Sequence, residues 1–424
     1  MRCLMLAACL ASGLAQPAFG QEAVRPLTMI DALGEALSGN PELVALRREY
    51  DAARTVPAQA RFLEAPSFDA QVWALPVTTL NPIRADMYML MGGQAFPGRG
   101  KRASRELVGE RGAEVAQRQV AMRANDILDE VRQAYVGLTL ARETVVLYDR
   151  QIPVLRRLTE AVTLRVASGH AAQHDAVQPF VALSRLQAEV ITWQARVRSE
   201  EAHLNTLLGR QVSQRIGPTV PVMVTNIPAD PVAVALERHP AMSLVAAEIA
   251  REEAELARLE GERRPDFMVG GGYMLMPGEA GAWTASAGIT WPNAPWSRGG
   301  LDAEIATQAL RVEAVAARRE AIANAIRGSV YDAEIRIDAA RQRAGLVATT
   351  TLPHIQHAFD VSRTAYAAGR APFADVIDGH RAMLAADVEY AIAQAEVAFA
   401  LADLQRAIGA VQPDAAPAHQ EQLP

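Results

Sequence analysis

Lysine occurs once in this 424-residue chain, at Lys101, and arginine supplies the remaining fixed positive charge. With 42 basic against 48 acidic residues the formal charge is −6, which argues against a basic nucleic-acid-binding surface. Cysteine is almost as scarce. Cys3 and Cys9 are the only two, so the chain beyond them can form neither a disulfide nor a thiolate metal site. Aromatic residues make up 5% while half of all residues are hydrophobic, a balance dominated by alanine that points to closely packed helices rather than a large globular core. Beyond the N-terminal segment no stretch offers about 18 uninterrupted apolar residues, which excludes a transmembrane helix but not a barrel. Catalytic motifs are lacking as well. There is no Walker loop, G-x-S-x-G or H-E-x-x-H, and Gly270-Gly271-Gly272 lies in a strand pattern with no helix after it. No enzyme and no cofactor are therefore expected. His170 with His174, and His354 with His357, have helical spacing, but neither pair has a third ligand nearby, so they read as surface histidines and no resident metal is expected.

What is present begins with a targeting segment over residues 1–20. Arg2 supplies the positive charge, Leu4 to Leu14 the apolar run and Ala18-Phe19-Gly20 the cleavage site, so Gln21 is the expected first mature residue and the protein is exported. Leu6-Ala7-Ala8-Cys9 has the form of a lipidation box, but cleavage there would leave an apolar core of about five residues against the usual 7–15.

The rest of the chain is organised around residues 98–209. Apolar residues recur at helical spacing from Lys101 to Ala167, a span that contains one proline, Pro153, and a turn follows at Ser168-Gly169-His170-Ala171. The return helix carries Leu186, Val190, Trp193, Val197, Leu204 and Leu208 as a coiled-coil seam. A helix of about 65 residues is on the order of 100 Å long, roughly three times the hydrocarbon thickness of a bilayer, so this hairpin must project through water.

Two stretches read as strand hairpins, Ser67 to Phe96 and Asp266 to Trp291. The clearest strand starts at Ala282, where Trp283, Ala285, Ala287, Ile289 and Trp291 alternate with Thr284, Ser286, Gly288 and Thr290. Met87, Met89 and Met91 oppose Tyr88 and Leu90, and Met268, Met274 and Met276 oppose Phe267, Val269, Tyr273 and Leu275, so an aromatic face in lipid would leave the methionines facing a lumen. Trp73, Trp283, Trp291 and Trp296 fall in or beside these hairpins, as interfacial aromatic girdles do.

The pattern then repeats at an offset of about 199 residues. Asn40-Pro41 returns as His239-Pro240, Pro66-x-Phe68 as Pro265-x-Phe267, Phe96-Pro97 as Trp291-Pro292, Tyr135 as Tyr331, Gly169 as Gly369, Asp175 as Asp375 and Gly209 as Gly409. A tandem duplication is expected, with repeats over 21–211 and 232–410, an extended proline-rich crossover over 212–231 and a disordered tail over 411–424. The fold class is mainly α with a small β part. Four strands cannot close a membrane barrel, so copies of the chain must share one in a cyclic oligomer.

In their order and duplication, the Asn40-Pro41-Glu42 start, the junction Phe96-Pro97-Gly98-Arg99-Gly100-Lys101-Arg102 and the Gly-x5-Asp turns at Gly169/Asp175 and Gly369/Asp375 resemble the TolC-type outer-membrane channels of tripartite efflux pumps. The junction is most similar to the heavy-metal-exporter branch. The resemblance implies a homotrimer with a twelve-stranded barrel in outer-membrane lipid of a Gram-negative cell and a helical periplasmic tunnel. It also implies a periplasmic adaptor and an inner-membrane pump, of RND type, as partners. It places a gate link at Asp175 and Tyr366, a pore constriction at Asp375 and Asp378, and adaptor-docking turns at Gly169 and Gly369. The position of a gate arginine in the family is Ala371 here, beside Arg370, so part of that restraint is missing. The competing reading is a periplasmic coiled-coil adaptor whose strands form a domain outside the membrane.

Overall fold

The computed structural model describes residues 25–73, 85–169, 173–220 and 227–409. The targeting segment, the tail over 411–424, His170 to Ala172 and part of the crossover lie outside them.

The chain opens with helices α1 (Met29–Gly39) and α2 (Pro41–Ala53), broken at Asn40. Asn40 explains the break: its Oδ1 accepts the N–H groups of Glu42 and Leu43 at 2.9 and 3.2 Å, while its Nδ2 donates to the Leu207 carbonyl at 2.8 Å. Pro41 has no N–H to satisfy at the first helical position. After the short α3 (Val56–Ala60), strands β1 (Ser67–Trp73) and β2 (Met87–Phe96) lead into α4 (Lys101–Ala167), a helix of 67 residues, and its return partner α5 (Gln173–Leu208). The same order follows in the second half. Helices α6 (Pro231–Arg238) and α7 (Pro240–Gly261) break at His239, whose ring nitrogen accepts the Ala241 N–H at 3.1 Å. Strands β3 (Phe267–Leu275) and β4 (Ala282–Ile289) then lead to α8 (Arg298–Leu346), α9 (Leu352–Ala367) and α10 (Phe373–Ile408). The capping pair Asn40-Pro41 and its counterpart His239-Pro240 thus divide the opening helix of each half into two.

The halves also differ. Helix α4 runs through Pro153 without interruption, whereas α8 and α9 are separated by a π-turn at Val347–Thr351 just before Pro353. A helical proline lacks an N–H and crowds the carbonyl four residues earlier, and the wider π-turn makes room for its ring. Tyr135 is fully buried, accepting the Val220 N–H at 2.8 Å and donating to the Leu27 carbonyl at 2.7 Å, but its counterpart Tyr331 is exposed.

Three apolar clusters hold the helices together. One joins α1, α2, α4 and α5 around Leu43, Ile127, Leu138 and Leu204, and a second joins α6, α8 and α10 around Ile326, Ile337 and Leu404. The third packs the two hairpins on one another through Leu155, Val162 and Leu186 against Phe359, Phe373 and Ile377. The expected seam on α5 is there, with Leu186, Val190, Leu204 and Leu208 buried.

All four strands form one antiparallel sheet in the order β1-β2-β3-β4. The β2–β3 pair joins the halves, with Phe96 opposite Phe267 and Leu90 opposite Tyr273. Strands β1 and β4 are its edges. Among the described residues neither has a partner on its outer side.

Candidate functional site

The sheet register separates two chemically different faces. Directly opposed residues share a face, which places Phe68, Ala70, Val72, Tyr88, Leu90, Phe96, Phe267, Val269, Tyr273, Leu275, Trp283 and Ile289 together. Gln94 is the sole polar member of that face among the sheet residues and sits at its lower end, where its Nε2 donates to the Glu64 and Ala95 carbonyls. The face is bare, with Trp283 83% and Leu90 62% exposed. A dozen apolar side chains held in water would forfeit about 25 cal/mol per Å² of the transfer free energy that lipid returns. At one end of the sheet Trp283 meets Tyr273 edge to face at 5.1 Å, and beyond the other end Trp291 meets Trp296 at 6.2 Å. Two aromatic levels bracketing an apolar band match the two interfaces of a bilayer. The opposite face carries Ser67, Asp69, Gln71, Thr284 and Ser286, together with the methionines.

Below the sheet the strand-to-helix junction is clamped by the sole lysine. Lys101 is 2% exposed, and its Nζ lies 2.9 Å from both Glu262 and Asp266 of the other half. Asp266 also accepts the Gly98 N–H at 2.7 Å. Burial pushes the Asp266 carboxyl up, but the Gly98 N–H and the Lys101 ammonium outweigh it and leave it below the usual range. Gly100 turns the chain with a φ of 88°. The one lysine was visible in the sequence; its partners, about 160 residues away, were not.

Midway along the tunnel Asp129 of α4 is buried near Arg406 of α10. Burial raises its carboxyl to about 6, with Arg406 opposing the shift and Asp403 adding to it. The folded state therefore holds a proton that the unfolded chain releases near pH 4, and this contribution to stability is lost as the pH rises through 6. Asp129→Asn should raise the melting temperature relative to wild type at pH 8, by the equivalent of up to about 3 kcal/mol, with the difference vanishing near pH 4. A thermal melt of both proteins across that range checks it.

At the far end the two hairpins turn. Gly169 and Gly369 have φ of 77° and 69°, the left-handed region that disfavours side chains, and nothing lies within 4 Å of where a Cβ would stand. Between α4 and α5 a groove near this end is lined by Arg156, Thr163, Leu164, Phe180 and Leu183, with Leu164 and Phe180 exposed. Asp375 and Asp378 are both exposed on one face of the first turns of α10, and Arg381 donates to Asp378 at 3.1 Å. Tyr366 lies within the third cluster, its ring 5.1 Å from Phe373 and beneath the Arg165 guanidinium at 4.7 Å. Its hydroxyl is buried with no hydrogen-bond partner among the described residues, so this structure does not join it to Asp175. Packing against Phe373 and Arg165 holds the ring instead. Nearby His380 is buried against Phe359, its Nε2 3.1 Å from Gln151, and burial lowers its pKa.

An open four-stranded sheet with one lipid-like face, carried on helices on the order of 100 Å long, defines the subunit of a shared membrane barrel. Comparison with known proteins agrees. No family model matches the chain. It is 25% identical over 382 residues to the cobalt-zinc-cadmium resistance protein CzcC of Cupriavidus metallidurans, covering 88% of each chain. Its structure is similar to that of CusC, with a TM-score of 0.76 and 14% identity over 93% of this chain and 95% of that one. It is also similar to the open state of the MtrE outer membrane channel of Neisseria gonorrhoeae, with a TM-score of 0.74 and 18% identity over 90% and 88%. The chain has the fold of the TolC-type outer-membrane channels, and the resemblance drawn from its sequence is borne out.

Proposed function

We propose that the protein is the outer-membrane exit channel of a tripartite efflux system, a passive conduit that receives metal cations or small toxic compounds from an inner-membrane pump of RND type through a periplasmic adaptor. The observation that carries this reading is the sheet: one face apolar but for Gln94 at its lower end, two edges unpaired among the described residues and aromatic pairs at both ends. Lipid tolerates no open edge, and three copies close twelve strands. No described helix is long and apolar enough to cross a membrane. Similarity to CzcC, a cobalt-zinc-cadmium resistance protein, supports metal cargo. The alternative of a periplasmic adaptor without a barrel leaves the exposed apolar face without purpose. Fractionation separates the two: the channel stays in the outer membrane after a high-salt wash and leaves it only with detergent, whereas release by salt alone overturns the reading.

Within this reading the repeats over 21–211 and 232–410 are two equivalent staves, joined by the crossover over 212–231. The turns at Gly169 and Gly369 dock the adaptor, Asp375 and Asp378 ring the entrance, and Asp175 supplies the acceptor that the Tyr366 hydroxyl lacks when the tunnel tightens. The open space around both glycines supports the docking role, since an added side chain strains only the turn, by about 1–2 kcal/mol each. Gly169→Leu combined with Gly369→Leu should leave trimers in the membrane while abolishing co-purification of the adaptor. Unchanged co-purification would count against docking at these turns.

A further inference from the structure

The polar face of the sheet is not filled as hydration alone would fill it. Its serine, threonine, aspartate and glutamine residues lie on the outer strands β1 and β4, while the central strands place Met87, Met89, Met91, Met268 and Met274 there. Met276 follows directly after β3, so six of the chain's 13 methionines belong to this hairpin pair. The partition is complete. Every methionine of the sheet falls on the polar face, and the apolar face, where a generic hydrophobic residue would serve equally well, has none. Lipid exposure therefore does not account for them.

Their register concentrates the sulfurs. Met89 stands directly opposite Met274, with Gln71 beyond it on β1. In the adjoining row Met91 faces Gly272, and its sulfur occupies the space a side chain at Gly272 would need. Asp69 stands on the other side of Met91. Met87 heads the next row, opposite Trp73. Neighbouring rows on one face are about 7 Å apart and directly opposed Cβ atoms about 5 Å, distances that unbranched methionines with three rotatable bonds can bridge so that two or three thioethers meet one ion. All four side chains are half-buried rather than sealed, which leaves the sulfurs reachable from that face.

We propose that Met87, Met89, Met91 and Met274 form a soft-cation site on the channel wall that takes Cu(I) or Ag(I). Thioethers are soft, neutral ligands that favour such monovalent ions over hard or borderline divalent ones. Asp69 supplies the negative charge that they lack. Neutral ligands hold an ion weakly enough to release it, as a conduit requires. The inference rests on the channel reading, because only barrel closure makes this face lumenal.

The test uses the purified full chain in detergent, in buffer free of chloride and thiols, titrated with Ag(I) and read by calorimetry and by metal content after gel filtration. Wild type should bind Ag(I) saturably. The combined variant Met87→Leu, Met89→Leu, Met274→Leu, which preserves side-chain volume, should lose at least about tenfold in affinity while eluting as the wild type does. Met242→Leu, at the start of α7 and packed against the helical cluster of the second half, should bind as wild type. A combined variant that keeps wild-type affinity, or a wild type that binds no Ag(I), overturns the site. Planar-bilayer recordings on the same preparations keep the two readings apart. A pore without Ag(I) binding defeats the methionine site alone, and Ag(I) binding without any pore defeats its lumenal placement.

Discussion

Replacing Asp375 and Asp378 together with asparagine should abolish the cation preference of the reconstituted channel. The two carboxylates stand three residues apart in the first turns of α10, both exposed, next to the turn at Gly369 that ends the tunnel. In the proposed trimer, threefold symmetry would multiply them into a ring of six around one axis, and such a ring attracts cations and repels anions. The pair is not symmetric in effect. Asp378 is partly neutralised by Arg381 at 3.1 Å, an exposed pair worth about 0–1 kcal/mol, so Asp375→Asn should cost more selectivity than Asp378→Asn. In bilayer recordings the double variant should lose its cation-to-anion permeability ratio, and block by trivalent cations from the periplasmic side should weaken by about tenfold or more. Selectivity and block that survive in the double variant would mean that these carboxylates do not line the entrance.

The second large effect belongs to the junction. Lys101→Met keeps most of the side-chain volume but leaves Glu262 and Asp266 facing one another without the ammonium between them. Removing one partner from a buried ion pair costs about 3–5 kcal/mol. Here the lower half of that range applies, because the Glu262 and Asp266 side chains are 23% and 36% exposed and regain some hydration. Asp266 also anchors Gly98 through its backbone N–H, so the loss falls where the sheet is hung on the first long helix. The trimer of this variant should dissociate on heating well below wild type, and the deficit should shrink on acidification, because the wild type itself loses the Asp266–Lys101 pair as the pH falls through the lowered Asp266 value. Equal melting temperatures at neutral pH would show that the clamp contributes nothing.

Much of this architecture was legible because it rests on periodicity. The bounds Lys101–Ala167 follow from an unbroken helical pattern ended by a glycine of positive φ, and the strand faces follow from strict alternation. The helix break at Asn40 is legible in principle, since asparagine before proline is a capping signal, although the motif stands out first as a mark of the repeat and of the family resemblance. The π-turn at Val347–Thr351 left no comparable trace: Pro353 hints at a disturbance, yet Pro153 at the matching position of the first half causes none. Contacts between residues far apart in sequence were the least visible. Nothing in the chain links Lys101 to Glu262 and Asp266, or Asp129 to Arg406, until the halves pack. Tyr366 shows the limit of reasoning by resemblance. Its place at the tunnel tip follows from Gly369, but its contacts with Phe373 and Arg165 depend on local packing that spacing does not encode.

Everything rests on one claim, that the unpaired edges of the sheet, β1 and β4, pair between copies. The chain invites a direct measurement because its two cysteines lie within its first ten residues, in the expected targeting segment. Cysteines placed at Ala70 on β1 and Ala285 on β4 cannot meet within one chain, since β2 and β3 lie between them and strands are about 4.8 Å apart. Membranes carrying the double variant are treated with a short bifunctional thiol reagent that spans about two strand spacings, and the products are resolved by size under denaturing conditions. Closure into a shared barrel predicts covalent dimers and trimers, with the ladder ending at three chains. A product that stays monomeric, or a ladder that continues past three, would contradict the account.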